Sequence, residues 1–311
     1  MTASTLPRPL KGIVPPMVTP LLGRDELDHY GLSRLVEHLV SNGVAGLFIL
    51  GTTGEGPSLS YRLRYELIEK TCELVAGRIP ILVGVTDTSL VEAVELAKFS
   101  RDAGASAVVA APPYYFPVEQ PPLLTFLQRL ADESPLPLFL YNMPSCVKAM
   151  LAFETVETLA RHTNVVGLKD SSGDMAYFRR ALTLREARPD WTILMGPEQL
   201  MAESVLLGSD GGVTGGANLH PRLYVDLYEA ASRRDQPIID KLQSEVITLA
   251  KIYNVSGSGM APYLCGLKCA LELADLCSGH LAEPFTAFGA TERSAVERLL
   301  AEMSLLTAST T

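Results

Sequence analysis

Short apolar runs alternate with longer stretches of helical periodicity along most of the chain. The apolar runs fall at residues 12–18, 46–50, 79–85, 107–110, 137–141, 165–169, 191–195 and 211–214. They are rich in Val, Ile and Leu without a polar alternation, which predicts strands buried on both faces, as in a parallel sheet covered by helices. Between them, helices are predicted over 30–42, 60–76, 89–103, 122–132, 153–162, 175–187 and 199–207. In the first of these Leu32, Leu35, Val36, Leu39 and Val40 form one stripe. Gly43, Gly77 and Gly104 stand where left-handed helix caps are wanted, and Ser89-Leu90-Val91-Glu92 reads as a capping box.

Eight strand–helix units predict a (β/α)8 TIM barrel. A doubly wound open sheet would use fewer strands and a Gly-rich first turn, whereas this chain has Pro15-Pro16-Met17-Val18-Thr19-Pro20 there. Beyond His220 the strand signals stop, and 237–253, 260–276 and 291–306 read as helical. The expected organisation is a barrel with the site over 1–220 and a C-terminal helical extension over 221–311 packed on it.

Composition narrows the function. The chain has 311 residues, enough for one barrel of about 250 residues plus an extension. Its net charge of -9 argues against general nucleic-acid or anionic-membrane binding, which require basic surface. The first ten residues hold two prolines and no long apolar run, so no secretory leader is expected. No apolar run reaches the roughly 18 residues of a membrane span. The five cysteines (Cys72, Cys146, Cys265, Cys269, Cys277) read as reduced thiols of a cytoplasmic protein. Scattered histidines, no paired CxxC, no Walker loop and no G-x-G-x-x-G leave no expected metal or nucleotide cofactor.

In a barrel the chemistry sits at the C-terminal ends of the strands. Those ends carry Gly51-Thr52-Thr53-Gly54-Glu55-Gly56, Pro112-Pro113-Tyr114-Tyr115-Phe116, Tyr141-Asn142-Met143-Pro144, Lys169, and Thr214-Gly215-Gly216-Ala217-Asn218. A lysine at the tip of a buried strand is the unusual feature. A free lysine amine is almost wholly protonated at neutral pH, apolar surroundings disfavour the ammonium, and a neutral amine attacks a carbonyl to form a Schiff base. Tyrosine as proton carrier and backbone amides for an anion complete a workable site. The turn Met195-Gly196-Pro197-Glu198 after strand seven is placed to contact a polyol, but Glu198 reads first as an ordinary exposed carboxylate.

Gly51-Thr52-Thr53-Gly54-Glu55, Tyr141-Asn142-x-Pro144 and Gly167-x-Lys169-Asp170-Ser171, in this order, resemble the dihydrodipicolinate synthase/N-acetylneuraminate lyase family from Lys11 to about Leu305. The resemblance implies class I aldolase chemistry on pyruvate or a related 2-oxo acid and an aldehyde, in a homotetramer built as a dimer of dimers. It implies Lys169 as the Schiff-base lysine and Tyr141 as the acid/base. Thr52 and Thr53 would hold the carboxylate, with Thr52 also passing protons and Val213 on the substrate side. Tyr115 would be lent to a neighbouring subunit's site. Dihydrodipicolinate synthases place an arginine two residues after the Tyr-Asn-x-Pro proline, and here that position is Cys146. A thiol does not replace a bidentate guanidinium, so efficient dihydrodipicolinate synthesis is not expected unless Lys148 compensates. The alternatives are a 2-keto-3-deoxy sugar acid dehydratase, a 4-hydroxy-tetrahydrodipicolinate synthase proper, and a barrel that binds a 2-oxo acid without turnover.

Overall fold

The computed structural model describes residues 4–306. Ten strands occur among them: β1 (Gly12–Ile13), β2 (Leu21–Gly23), β3 (Glu26–Leu27), β4 (Leu47–Ile49), β5 (Ile81–Gly84), β6 (Ala107–Ala110), β7 (Leu138–Asn142), β8 (Val165–Asp170), β9 (Thr192–Met195) and β10 (Gly211–Gly212). Eight form one parallel sheet in the order β1-β10-β9-β8-β7-β6-β5-β4, while β2 and β3 pair as a small antiparallel hairpin. The sheet closes where the segment after β1 meets β4. Ala45 N–H donates to Ile13 O (2.7 Å), Phe48 N–H to Pro15 O (3.0 Å) and Met17 N–H to Phe48 O (2.9 Å). This is the expected (β/α)8 barrel, with helices following the strands and more helices at the C-terminal end.

The first strand is shorter than its apolar run. Pro15 and Pro16 have no N–H to give a ladder, so regular pairing stops at Ile13 and resumes only as a bridge from Pro16 to Phe48. Three predicted helices are interrupted, the 237–253 pattern being an α-helix over Gln236–Leu249 closed by a 3-10 turn over Ala250–Asn254. The 175–187 pattern is an α-helix over Met175–Leu182 followed by a 3-10 turn, and the 199–207 pattern opens as a 3-10 turn before Met201–Leu206. The hairpin, the one-turn helix Pro144–Val147 and the helix Pro221–Arg233 are additional to the predicted elements. The last begins with proline at its first turn, where the missing N–H costs nothing.

Two apolar cores divide the side chains of each strand. Leu47, Ile49, Leu138, Leu140, Val165 and Leu168 face the helices. Phe48, Leu82, Val109, Phe139, Val166 and Leu194 fill the barrel interior. One irregularity matters for the site. Pairing between β7 and β8 runs Leu138↔Val165 and then Phe139↔Gly167, so Val166 is an extra, bulged residue. A bulge re-phases the strand beyond it. After Val166 points inward, Leu168 faces the helices, and Lys169 returns to the interior beside Tyr141, its register partner.

Candidate active site

Lys169 lies near the C-terminal end of β8 and is 6% exposed. Its Nζ sits 3.9 Å from the centroid of the Tyr141 ring and 4.9 Å from that of Phe48. Both rings present π-faces that attract the ammonium. Among the described residues no carboxylate lies within ion-pair distance of Lys169. The amine therefore has aromatic neighbours and no counter-ion, and it opens onto a cavity of about 260 Å³. Thr52, Thr53, Tyr141, Val213, Tyr253 and Tyr263 are among the residues that line it.

The strand before the threonines ends in an unusual turn. Leu50 and Glu55 both adopt left-handed backbone, at φ 57° and 55°. Between them Glu55 N–H bonds Thr52 O (3.0 Å) and Gly56 N–H bonds Gly51 O (3.1 Å). The turn projects consecutive threonines toward different tyrosines. Thr52 Oγ1 is 3.3 Å from the Tyr141 hydroxyl, and Thr53 Oγ1 is 2.9 Å from the Tyr263 hydroxyl. Glu55 is buried, pairs with Lys268 Nζ at 2.7 Å and accepts from Ala282 N–H at 2.7 Å. Lys268 also donates to Thr19 O and His280 O, at 2.6 Å each.

The ends of β7 and β8 are tied by a buried polar cluster. Asn142 donates to Asp170 Oδ1 (2.8 Å), which also accepts from Ser172 N–H (3.1 Å), while Ser172 Oγ donates to Oδ2 (3.0 Å). Burial pushes the Asp170 carboxyl above the usual carboxylate range, and these bonds oppose the shift. Asn142 and Asp170 both stand in the motifs that carry the resemblance, but the sequence assigns neither a role.

Glu198 departs from expectation. It is buried, not exposed, because the 3-10 turn Glu198–Leu200 folds it under the loop after β10, where Oε2 accepts from Gly216 N–H at 2.8 Å. Burial raises its carboxyl above the usual range. The hydroxyls of Tyr224 and Tyr253 lie beside the same backbone, and each is desolvated, which pushes both phenols well up. Tyr263, from the helix Met260–Leu273, and Tyr253 are the cavity residues that sequence reasoning missed. They lie beyond the barrel strands, where a strand-end search does not look.

A second chamber of about 160 Å³ shares Thr52, Tyr141 and Met143 with the first. Tyr114, Cys146 and Arg64 also line it. Lys148 caps the helix Pro144–Val147 in left-handed backbone, is exposed, and lines neither chamber. Tyr115 is 73% exposed, stacks edge-on against Phe116, and does not line its own chain's chambers. All five cysteines are free, with Cys146 exposed and the others buried. Among the described residues no helix is long and apolar enough to cross a membrane.

Solved structures share this architecture over nearly the whole chain. Dihydrodipicolinate synthase from Bacteroides thetaiotaomicron is 50% identical and superposes with a TM-score of 0.91, covering 94% of this chain and 99% of that one. YagE from Escherichia coli K12, a prophage protein solved in complex with pyruvate, is 29% identical with a TM-score of 0.87, over 95% and 99% of the two chains. The "Probable 2-dehydro-3-deoxy-D-pentonate aldolase YjhH" of Escherichia coli K12 is 33% identical over 267 residues, 85% of this chain and 87% of that protein. The model of the dihydrodipicolinate synthetase family matches residues 9–303. With the barrel, the strand-end lysine and these relatives in agreement, the chain belongs to the dihydrodipicolinate synthetase family and is a lyase of the class I aldolase type.

Proposed function

We propose that Lys169 forms a Schiff base with pyruvate or a related 2-oxo acid, and that the resulting enamine adds to an aldehyde or is regenerated by the reverse cleavage. The observation that carries this reading is the Lys169 amine itself: buried, without an ion-pair partner among the described residues, and 3.9 Å from the Tyr141 ring in an open cavity. A buried ammonium with no partner is costly unless the site uses the amine.

The steps follow from that placement. The Lys169 amine adds to the ketone carbon, and loss of water leaves a protonated imine. The imine draws electrons from the adjacent carbon, which gives up a proton and becomes an enamine. The enamine carbon bonds to the aldehyde carbon, whose oxygen takes up a proton. Water then hydrolyses the imine, freeing a 4-hydroxy-2-oxo acid and the lysine. Tyr141 carries the proton, and Thr52 at 3.3 Å passes it on. Thr52 and Thr53 hold the carboxylate, and Val213 bounds the substrate on the β10 side. Tyr115, exposed and outside its own chambers, reaches a neighbouring subunit's site in an oligomer built as a dimer of dimers.

Within the family, we read the chain as a 2-oxo acid aldolase acting on a sugar-derived substrate, with the dehydratase reaction accessible from the same enamine. Cys146 beside Thr52 weighs against efficient dihydrodipicolinate synthesis, since Lys148 lines neither chamber. The synthase named for the Bacteroides relative is the second reading. Borohydride reduction in the presence of pyruvate, followed by mass spectrometry of the digest, tests the class. A reduced pyruvyl adduct is expected on Lys169 and is absent from a folded Lys169→Ala variant. An unmodified Lys169 across a panel of 2-oxo acids would overturn the assignment.

A further inference from the structure

Two tyrosines flank the threonine pair, and only Tyr141 belongs to a barrel strand. Tyr263 enters from the helix Met260–Leu273. Its hydroxyl approaches the barrel so closely that a Cβ on Gly215 would lie 1.9 Å from it, so glycine at that position admits the phenol. Tyr253 packs edge-on against it, ring centroids 4.8 Å apart. The hydroxyl has one hydrogen-bond partner among the described residues, Thr53 Oγ1 at 2.9 Å, and Thr53 Oγ1 has no other.

Burial, and Glu198 nearby, keep the Tyr263 phenol protonated. If Thr53 were the donor, the phenol proton would have no acceptor among the described residues, and an unmade hydrogen bond is costly. With the phenol donating, Thr53 Oγ1 is the acceptor, and its own proton is free to point elsewhere. Thr53 lines the cavity in which Lys169 sits, so that proton has open space to turn into.

We propose that Tyr263 is a positioning residue: by donating to Thr53 Oγ1 it turns the Thr53 hydroxyl proton into the Lys169 cavity, preset to meet the carboxylate of a 2-oxo acid. The inference rests on the reading that Thr53 contacts that carboxylate. It gives the C-terminal helices a part in substrate recognition, through a residue whose hydroxyl acts by way of Thr53.

The test uses pyruvate alone, so the unknown aldehyde does not enter. Half-saturation by pyruvate is measured from borohydride trapping read by intact mass. The rate at saturation is measured from deuterium exchange of the pyruvate methyl group by proton NMR. Tyr263→Phe keeps the ring and loses the donor. Half-saturating pyruvate is expected to rise about tenfold, the worth of one hydrogen bond to a charged group, with the saturating exchange rate within about threefold of the original. Thr53→Val is expected to show at least the same rise, Thr53→Ser to restore the original value, and the double variant T53V/Y263F to be no worse than Thr53→Val alone. An unchanged half-saturation in Tyr263→Phe, additive losses in the double variant, or a fall confined to the saturating rate would each overturn the proposal. If the unaltered protein forms no adduct, or Thr53→Val binds pyruvate undiminished, the underlying reading has failed instead, and the role of Tyr263 fails with it.

Discussion

Lys169 and Lys268 are both buried, yet the protein treats their charges in opposite ways. Lys268 is satisfied by Glu55 and two backbone carbonyls, as a buried ammonium must be if it serves structure. Lys169 faces two aromatic rings and a cavity. The same comparison applies to Glu198, a buried carboxyl with one backbone donor. Its folded-state pKa is raised, so its contribution to stability is full below the unfolded value of about 4.3 and is lost as pH climbs through the folded value. Glu198→Gln keeps an acceptor for Gly216 N–H and cannot ionise. Urea midpoints measured at pH 5 and pH 8 should therefore fall less in the variant than in the original protein. Asp170 and Asp210 are shifted the same way and the desolvated His38 and His220 the opposite way, so the reading is the difference between the two proteins and not the slope of either. Equal falls in both proteins would mean that Glu198 meets the same proton affinity folded and unfolded.

At the scale of elements, the turn from Leu50 to Gly56 carries strain that its neighbours must hold. Two non-glycine residues in left-handed backbone cost about 1–2 kcal/mol each. The Leu50 carbonyl is pressed between Gly56 and Gly84, where an added Cβ would lie 2.2 Å and 2.4 Å from its oxygen. The helix Met260–Leu273 holds the far end of the turn through Lys268 and Glu55. Lys268→Met removes one partner of a buried pair and leaves the other carboxylate uncompensated. A loss of about 3–5 kcal/mol in urea unfolding is expected. A loss below about 1 kcal/mol would mean that the turn does not depend on this anchor.

For the whole molecule, the barrel brings the strand ends together and the C-terminal helices finish the pocket with Tyr253 and Tyr263. One proposed component is still supplied from outside the chain. Tyr115 and Phe116 are 73% and 72% exposed, an aromatic pair with no covering in the single chain. If Tyr115 serves a neighbour, Lys169→Ala and Tyr115→Ala are each expected to be nearly inactive alone. Mixed by unfolding and refolding together, they should regain activity, because a Tyr115→Ala subunit keeps its lysine and borrows the tyrosine. Activity that stays at the level of the separate variants would mean that Tyr115 acts within its own chain or not at all. Much of this architecture was legible beforehand. Apolar runs of four to seven residues located the strands because burial on both faces removes polar alternation. Hairpin β2–β3 was not legible, since Leu21–Gly23 and Glu26–Leu27 are too short to show a period.

What the amino-acid sequence determined by itself was the local chemistry: which segments could be buried, which ended in glycine, and which strand end carried the lysine. Those properties depend on neighbours along the chain, so they can be read from it. Only the tertiary structure decided which way the side chains face and what they meet. The bulge at Val166 turns Lys169, and not Leu168, toward the interior; that register belongs to the pairing of β7 with β8 and not to either strand alone. The partners of Thr53, Glu55 and Glu198 come from residues 210, 213 and 18 positions away, respectively. Such contacts leave no periodic mark in the chain, because they are fixed by the closure of the barrel and by the helices packed over its end.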